Sequence, residues 1–159
     1  MMNKLPVFID CDPGVDDIIA LLLGMNMPEL DIVGISTLCG NVEASKTYVN
    51  ALKTVGVAGK NIPVYKGAET PMTRELYTAK DVHGNDGMAG LSDTIAAPDV
   101  SEEKEKAWDA IYREAKKYNG RPHDKRGHRF SEIQGAGFTA QTDRHNGRFG
   151  GIRKRHSRG

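Results

Sequence analysis

Four aspartates lie within eight residues near the start of the chain, in the run DCDPGVDD at residues 10–17. Four negative charges this close together repel one another unless a cation or a set of hydrogen-bond donors compensates them. Carboxylate oxygens select a hard cation such as Ca²⁺ or Mg²⁺, and Ca²⁺ tolerates an irregular set of carboxylates better. Helix capping is the alternative, since acidic residues stabilise the positive end of a helix dipole. Capping would account for Asp16 and Asp17 but hardly for Asp10 and Asp12, so the run predicts a metal site.

The segments on either side of this run predict where the aspartates lie. Residues 7–10 are short and nearly all apolar, which is typical of a buried strand, and residues 16–27 have a broad apolar face at helical spacing. A run between a strand and a helix lies at the carboxyl end of the strand, where open α/β sheets bind their ligands. Gly14 follows a proline, and we expect the two residues to turn the backbone here, with Gly14 in the positive φ that glycine can adopt.

The rest of the first 120 residues alternates between strand and helix patterns. We predict strands at residues 31–38 and 62–65, helices at residues 42–55 and 101–118, and a long loop at residues 66–100. Asn41 can serve as the N-cap of the second helix, and Trp108 and Tyr112 are expected on the buried face of the last one. This order predicts an α/β fold with an open, Rossmann-like, mostly parallel sheet and flanking helices.

The composition of the chain changes near Gly120. Residues 1–120 contain 12 Lys and Arg against 18 Asp and Glu, whereas residues 121–159 contain 10 against 3 and have no Leu, Val or Met. A segment so poor in apolar residues cannot bury enough surface to offset its ordering entropy. We therefore predict two parts: an α/β domain at residues 1–120 and a disordered basic tail at residues 121–159.

The sequence also predicts a compartment. No stretch is long and apolar enough to span a membrane, and residues 1–6 lack the apolar core of a signal peptide. Cys11 and Cys39 each follow a predicted strand, and two cysteines without export signals are expected to stay reduced. We therefore expect a cytoplasmic protein and a packing role for both thiols.

Three motifs, in order, resemble those of the inosine-uridine-preferring nucleoside hydrolases. The DCDPGVDD run is similar to the family's Asp-x-Asp-x-x-x-Asp-Asp signature after its first strand. STLCGNV at residues 36–42 is similar to a second strand ending in Gly-Asn, and VHGNDGM at residues 82–88 to a His-Gly-x-x-Gly loop. The resemblance spans residues 5–120, the N-terminal half or less of a family member, and ends there.

The resemblance implies an enzyme that cleaves the N-glycosidic bond of ribonucleosides to free base and ribose with Ca²⁺-activated water. It implies that Asp12 and Asp17 bind Ca²⁺ and that Asp12 is also the general base. It implies three substrate contacts and one supporting residue: Asp16 at the ribose hydroxyls, Asn41 at the ribose or the metal, His83 on the nucleobase side, and Asp10 behind the loop. Family members are also homo-oligomers.

The break at Gly120 has a simple explanation in the gene. Read from their second base, the codons of residues 122–129 can encode an apolar strand of the kind that the family has after this helix. We therefore expect a frameshift rather than an evolved basic tail, and a chain that is a truncated, inactive form of the enzyme. The family's later metal and ribose ligands have no matching motif in this tail.

Parts of the sequence are also compatible with other classes of function. A Mg²⁺-dependent phosphohydrolase with an Asp-x-Asp nucleophile usually has a Gly-Thr type turn after its second aspartate, whereas Pro-Gly and a tandem Asp-Asp follow here. A non-catalytic remnant that binds Ca²⁺ or a nucleoside is compatible with the missing half. The basic tail matches a nucleic-acid arm only in its charge, so we expect neither a nucleic-acid nor a membrane partner.

Overall fold

A computed structural model describes residues 4–98, 103–119 and 131–134. Its strands are β1 (Leu5–Cys11), β2 (Leu30–Thr37), β3 (Val64–Lys66) and β4 (Ser131–Gln134). Its helices are α1 (Val15–Asn26), α2 (Ala44–Val57), the short α3 (Lys80–His83) and α4 (Ala107–Asn119), and a 3₁₀ turn spans Ser92–Thr94. The strands form one sheet in the order β3-β2-β1-β4, and each neighbouring pair is parallel. The predicted α/β fold, with an open parallel sheet and flanking helices, is confirmed.

Apolar side chains cover both faces of this sheet. On one face, α1 and α2 pack in a cluster whose buried members are Cys11, Leu21, Met25, Ile35, Tyr48, Ala51, Val55 and Val64. On the other face, Ala107 and Ala110 of α4 pack with Phe8 and Tyr65. Burial on both faces explains why the strands are nearly continuous apolar runs instead of alternating apolar and polar residues.

The register between β1 and β2 brings the ends of the two strands side by side. The pairing shifts between Val7 and Phe8, so that Asp10 pairs with Ser36 at the carboxyl end. A Cβ on Gly34 of β2 would lie 2.6 Å from the Phe8 ring, so only glycine lets this ring lie across the strand. The register that positions the first aspartates therefore depends on packing in the middle of the sheet.

Helix α4 differs from its prediction. It begins at Ala107, later than expected, because the described residues just before it are not helical. Trp108 and Tyr112 are 57% and 69% exposed, so the prediction that they form the buried face is wrong. The buried positions are Ala107, Ala110 and Glu114. The two alanines let the helix approach the aromatic rings of the sheet closely, which larger side chains would prevent.

Helix α2 also begins later than predicted. It starts at Ala44, its N-cap is Glu43, and no side chain caps it. The prediction that Asn41 is the N-cap is therefore wrong, and this side chain makes other bonds that are described below. The predicted loop at residues 66–100 is confirmed in its described part, where only α3 and the 3₁₀ turn interrupt it.

Strand β4 lies inside the segment that was expected to be disordered. It pairs with the outer edge of β1, with Val7 opposite Ser131 and Asp10 opposite Gln134. The open edge of β1 offers backbone N–H and C=O groups that pair without regard to side chains, which explains why a polar segment can add here. The rest of residues 121–159 lies outside the described part, so the boundary near Gly120 stays a prediction. In that described part, no helix is long and apolar enough to cross a membrane.

Candidate functional site

The candidate site forms where β1 and β2 end at the same edge of the sheet. Asp12 directly follows β1, and Asn41 lies four residues beyond the end of β2. Helix α1 begins at Val15 and has Asp16 and Asp17 in its first turn. Because neighbouring parallel strands end together, the fold brings residues 29 positions apart in sequence into contact.

Asn41 joins two of the aspartates. Its backbone N–H donates to Asp12 Oδ2 at 2.8 Å, and its side-chain Nδ2 donates to the Asp12 main-chain oxygen at 2.9 Å. The same Nδ2 also donates to Asp17 Oδ2 at 3.4 Å. Asp12 and Asp17, the two predicted metal ligands, therefore meet on one asparagine.

The other two aspartates point elsewhere. Asp10 Oδ1 accepts a hydrogen bond of 2.5 Å from the hydroxyl of Ser36, its partner on β2, and so ties the two strands together. The side chain of Asp16 is 72% exposed and lies beside His83. The four aspartates of the run thus separate into one converging pair, one residue between strands and one facing solvent.

Two glycines are required by the closeness of the site's parts. A Cβ on Gly40 would lie 2.0 Å from Asp12 Oδ2, and a Cβ on Gly14 would lie 2.8 Å from both Asn41 Nδ2 and His83 Nδ1. Gly14 has φ −97° and ψ −171°, so the prediction of a positive φ is wrong. Glycine is needed there because two side chains approach its Cα, a constraint that only the tertiary structure creates.

His83 ends α3 and packs against the start of α1. Its Nδ1 accepts a hydrogen bond of 3.3 Å from the backbone N–H of Val15, which requires that this nitrogen be unprotonated. Asp16 Oδ1 lies 3.9 Å from the same Nδ1, which is a close approach and not a hydrogen bond. The imidazole is only 12% exposed. The loop histidine therefore forms part of the site's wall, next to Asp16.

Burial dominates the electrostatics of the converging pair. It raises the pKa of Asp12 although the N–H of Asn41 acts in the opposite direction, and it raises the pKa of Asp17 to about 6 although the N–H of Gly14 opposes it. Neighbouring aspartate charges raise both pKa values further. Burial also raises the pKa of the Cys11 thiol strongly, which leaves it unreactive and supports a packing role.

The donor set that could hold a metal is incomplete. Among residues 4–98, 103–119 and 131–134, no three His, Cys, Asp or Glu side chains come close enough together to bind an ion. Asp12 and Asp17 supply two carboxylates, with Asn41 beside them as an amide. A cavity of about 310 Å³ lies at the ends of β2 and β3, lined by Thr37, Glu43, Ala44, Ser45, Lys66, Gly67 and Glu69, and none of the predicted site residues lines it.

Sequence reasoning missed Gly40, Ser36 and, on α2, Asn50. Asn50 is 1% exposed, and its Nδ2 donates to the backbone oxygens of Pro13 at 3.2 Å and Asp86 at 2.9 Å. Two of the predicted motifs are thus in contact through a third element. The signal available in the sequence was a row of polar residues at helical spacing on α2, and the structure shows that Thr47, Asn50, Lys53 and Thr54 are all buried.

Comparison with known proteins decides the family. The sequence model described as "Inosine-uridine preferring nucleoside hydrolase" matches residues 7–124. The chain belongs to this family. The match ends close to Gly120, where the sequence resemblance was predicted to end, and it includes all residues of the candidate site.

Individual family members agree with this assignment. The chain is 46% identical over 93 residues to uridine nucleosidase of Saccharomyces cerevisiae, a match that covers 57% of this chain and 27% of that protein. It is 49% identical over 86 residues to the pyrimidine-specific ribonucleoside hydrolase RihA of Photobacterium profundum, covering 54% of this chain and 28% of that protein. The chain therefore spans less than a third of the length of these relatives.

Solved structures of the family have the same fold. A plant nucleoside hydrolase, the PpNRh1 enzyme, superposes with a TM-score of 0.70 at 30% identity, over 82% of this chain and 39% of that one. An inosine-guanosine nucleoside hydrolase superposes with a TM-score of 0.67 at 25% identity, over 82% and 38%. The sheet and helices described above are thus one part of a larger nucleoside hydrolase fold.

Proposed function

We propose that this chain contributes the aspartate side of a site that hydrolyses the N-glycosidic bond of ribonucleosides to free base and ribose. The observation that carries the proposal is the pair Asp12 and Asp17, joined through Asn41 at the carboxyl edge of the sheet in a nucleoside hydrolase family member. The names of its relatives, a uridine nucleosidase and a pyrimidine-specific ribonucleoside hydrolase, favour ribonucleosides as the substrate class.

Ca²⁺ is the proposed cofactor, with Asp12 and Asp17 as its ligands. The donor chemistry fits, since both are carboxylates and a hard cation prefers oxygen. Burial raises both pKa values, and a bound cation would offset the cost of keeping two buried carboxylates charged. When bound, such a cation lowers the pKa of a coordinated water molecule. Two carboxylates fill only part of a shell of about six to eight oxygens, so we expect weak binding.

Asp12 is proposed as the general base. Its carboxylate would accept the proton of the water that attacks the ribosyl carbon, which has oxocarbenium-like character in the transition state. The N–H of Asn41 holds Oδ2 at 2.8 Å and so orients the carboxylate before substrate arrives. The end of β2 would therefore contribute to the reaction mainly by orienting this carboxylate.

Asp16 and His83 are proposed as substrate contacts. The side chain of Asp16 is 72% exposed, which leaves its carboxylate accessible to ribose hydroxyls. Nδ1 of His83 lies 3.9 Å from Asp16 Oδ1, where the imidazole would flank the nucleobase. Asn41 would contact ribose or metal from between the aspartates. Asp10, bonded to Ser36, would support the end of β1 from behind.

Several properties of the whole protein belong to the same proposal. The composition changes near Gly120, and the codons of residues 122–129, read from their second base, can encode an apolar strand. We propose that the tail is read out of frame and that the 159-residue chain is inactive. The DNA downstream of codon 120 tests the frameshift. If this DNA, read one base out of the present frame, has no long open frame rich in Leu and Val codons, the frameshift is contradicted. The free thiols of Cys11 and Cys39 support a cytoplasmic location. We propose a role in nucleoside salvage and homo-oligomers, as the family implies.

A non-catalytic remnant that binds Ca²⁺ or a nucleoside is the second candidate. The observation that favours it is the incomplete donor set, because no three potential ligands converge in the described part of the chain. Family membership argues against the third possibility, a Mg²⁺-dependent phosphohydrolase with an aspartate nucleophile.

Calorimetric titration with Ca²⁺ tests the metal pair. Asp12→Asn and Asp17→Asn should each weaken binding at least about tenfold, since each removes a ligand charge. Asp31→Asn is the matched control, because Asp31 is an exposed aspartate at the opposite end of β2. Equal affinity in all four proteins would mean that the pair does not bind the cation.

Ribose release from inosine and uridine, with and without Ca²⁺, separates the enzyme from the remnant. We expect no turnover by the 159-residue chain and Ca²⁺-dependent turnover by a chain whose frame is restored. Robust hydrolysis by the 159-residue chain would overturn its proposed inactivity, whereas nucleoside binding without turnover in the restored chain would favour the remnant.

A further inference from the structure

The segment that carries His83, residues 80–92, is bound to one face of α2 and to its N-cap residue Glu43. Four side chains make the fastening at successive helical turns: Glu43 pairs with Lys80, Lys46 Nζ donates to the Asn85 oxygen at 2.7 Å, Asn50 Nδ2 donates to the Asp86 oxygen at 2.9 Å, and Lys53 Nζ donates to Ser92 Oγ at 2.8 Å. The spacing of three, four and three residues is that of one helix face. Helix α2 therefore sets the position of this whole segment.

Asn50 differs from the other three because it also reaches the aspartate loop. Its single amide nitrogen donates to the oxygen of Pro13 at 3.2 Å and to that of Asp86 at 2.9 Å. Both partners are carbonyl oxygens, which can only accept, so the orientation of the amide is determined by chemistry. Its own oxygen is buried and has no hydrogen-bond partner among the residues that the structure describes. The two hydrogen bonds that its N–H groups donate offset the cost of burying this acceptor.

The backbone of Gly87 packs closely against the Asn50 amide. A Cβ on Gly87 would lie 2.8 Å from Asn50 Nδ2 and 3.3 Å from the Pro13 oxygen. The second glycine of the His-Gly-x-x-Gly motif thus seats its backbone directly on the amide and on the aspartate loop. A few residues away, the same two segments meet again, where Val15 N–H donates to His83 Nδ1.

We propose that Asn50 is a positioning residue that locks the aspartate loop and the His83 segment into one unit. Its two N–H groups hold the backbone before Gly14 and the backbone after His83, and this sets the imidazole against the first turn of α1. A contact between this unit and a bound ribonucleoside rests on the proposed function, whereas the geometry of the unit does not.

Hydrogen exchange of the unmodified chain gives the first test. The side-chain N–H groups of Asn50 should exchange with solvent at least tenfold more slowly than those of Asn26, an exposed asparagine whose Nδ2 donates to the Leu22 oxygen within α1. Equal exchange rates at the two side chains would overturn the proposal without any variant having to fold.

Nuclear magnetic resonance of labelled histidine gives the second test. His83→Gln assigns the His83 signals, whose Nδ1 should resonate as a nitrogen that accepts a hydrogen bond. Asn50→Asp keeps the size of the side chain but removes its donors. The hydrogen bond from Val15 to His83 should then weaken, so that the His83 Nδ1 signal shifts and exchange of the Val15 amide accelerates at least tenfold. Thr54→Val is the control, because Thr54 is similarly buried on α2 and its hydroxyl donates to the Asn50 main-chain oxygen within the same helix.

The outcomes are distinct from those of the proposed function. A change at His83 in Asn50→Asp but not in Thr54→Val, with the exchange of α2 amides preserved in both, supports the positioning role. The same response in both variants, or none in either, overturns it. If the 159-residue chain passes these tests but a chain whose frame is restored neither binds nor hydrolyses inosine or uridine, the proposed function alone is contradicted.

Discussion

Gly40→Ala probes the site at the position of one carboxylate. An ideal Cβ on residue 40 would lie 2.0 Å from Asp12 Oδ2, 2.7 Å from its Cγ and 3.0 Å from its Cβ. Non-bonded atoms attract one another best at about 3.5–4.0 Å, so the Asp12 side chain must move. The least costly movement rotates the carboxylate away from the N–H of Asn41, from which Oδ2 now accepts a bond of 2.8 Å.

The size of the effect follows from that lost bond. A hydrogen bond to a charged acceptor contributes about 1.5–3 kcal/mol. Asp12 is half-buried, so water replaces part of the interaction, and we expect the free energy of unfolding to fall by about 1.5–2 kcal/mol. The rotation also turns Oδ2 away from Asp17, and a loss of about 1.4 kcal/mol in Ca²⁺ binding corresponds to a tenfold lower affinity.

Urea unfolding followed by circular dichroism measures the first effect, and calorimetric titration with Ca²⁺ measures the second. Gly24→Ala is the matched control, because its new Cβ would lie 4.0 Å from Ile9 Cδ1, an ordinary contact, inside α1. Alanine in a helix interior should stabilise the protein by about 0.5–1 kcal/mol. If Gly40→Ala is as stable as the unmodified chain, the Asp12 carboxylate does not lie against residue 40, and the geometry of the site is refuted.

Three further predictions test other parts of the structure. Partial burial raises the pKa of the Asp86 carboxylate, but backbone N–H groups that donate to it outweigh this and lower the pKa to about 2. The stability that the carboxylate contributes is present above its unfolded pKa of about 4 and is lost as the pH falls towards 2. The free energy of unfolding of Asp86→Asn should therefore change less between about pH 4 and about pH 2 than that of the unmodified chain. Ala110→Leu should lower the free energy of unfolding by about 1–3 kcal/mol because residue 110 is 0% exposed, whereas Tyr112→Ala should change it by no more than about 0.5 kcal/mol, and equal urea midpoints for the two variants would contradict the orientation of α4. In a chain with its frame restored, Asp12→Asn should nearly abolish hydrolysis at saturating nucleoside, whereas Asp16→Ala should mainly raise KM, and a reversed pattern in steady-state assays would exchange the two proposed roles.

Local patterns were enough to predict the elements. Apolar runs and helical spacing predicted the α-β order through residue 66, and the predicted ends of α2 were wrong by only a few residues. Patterns failed at α4, where large aromatics suggested a buried face. The buried face has small alanines because the surface that they meet already holds Phe8 and Tyr65, and nothing within the helix reports that.

The sequence by itself determined the fold class, the family resemblance and the candidate residues within each motif, namely the four aspartates, Asn41 and His83, because residue type and spacing within a short motif can be read without the fold. Only the tertiary structure decided which aspartates meet. Asp12 and Asp17 converge, and Asp10 turns to Ser36, because the β1–β2 register puts Asn41 and Ser36 at particular places across the strand pair. The close approaches at Gly14 and Gly40, and the contact of Asn50 with two loops, likewise join residues far apart in sequence, and such distances are set by packing and not by local propensity.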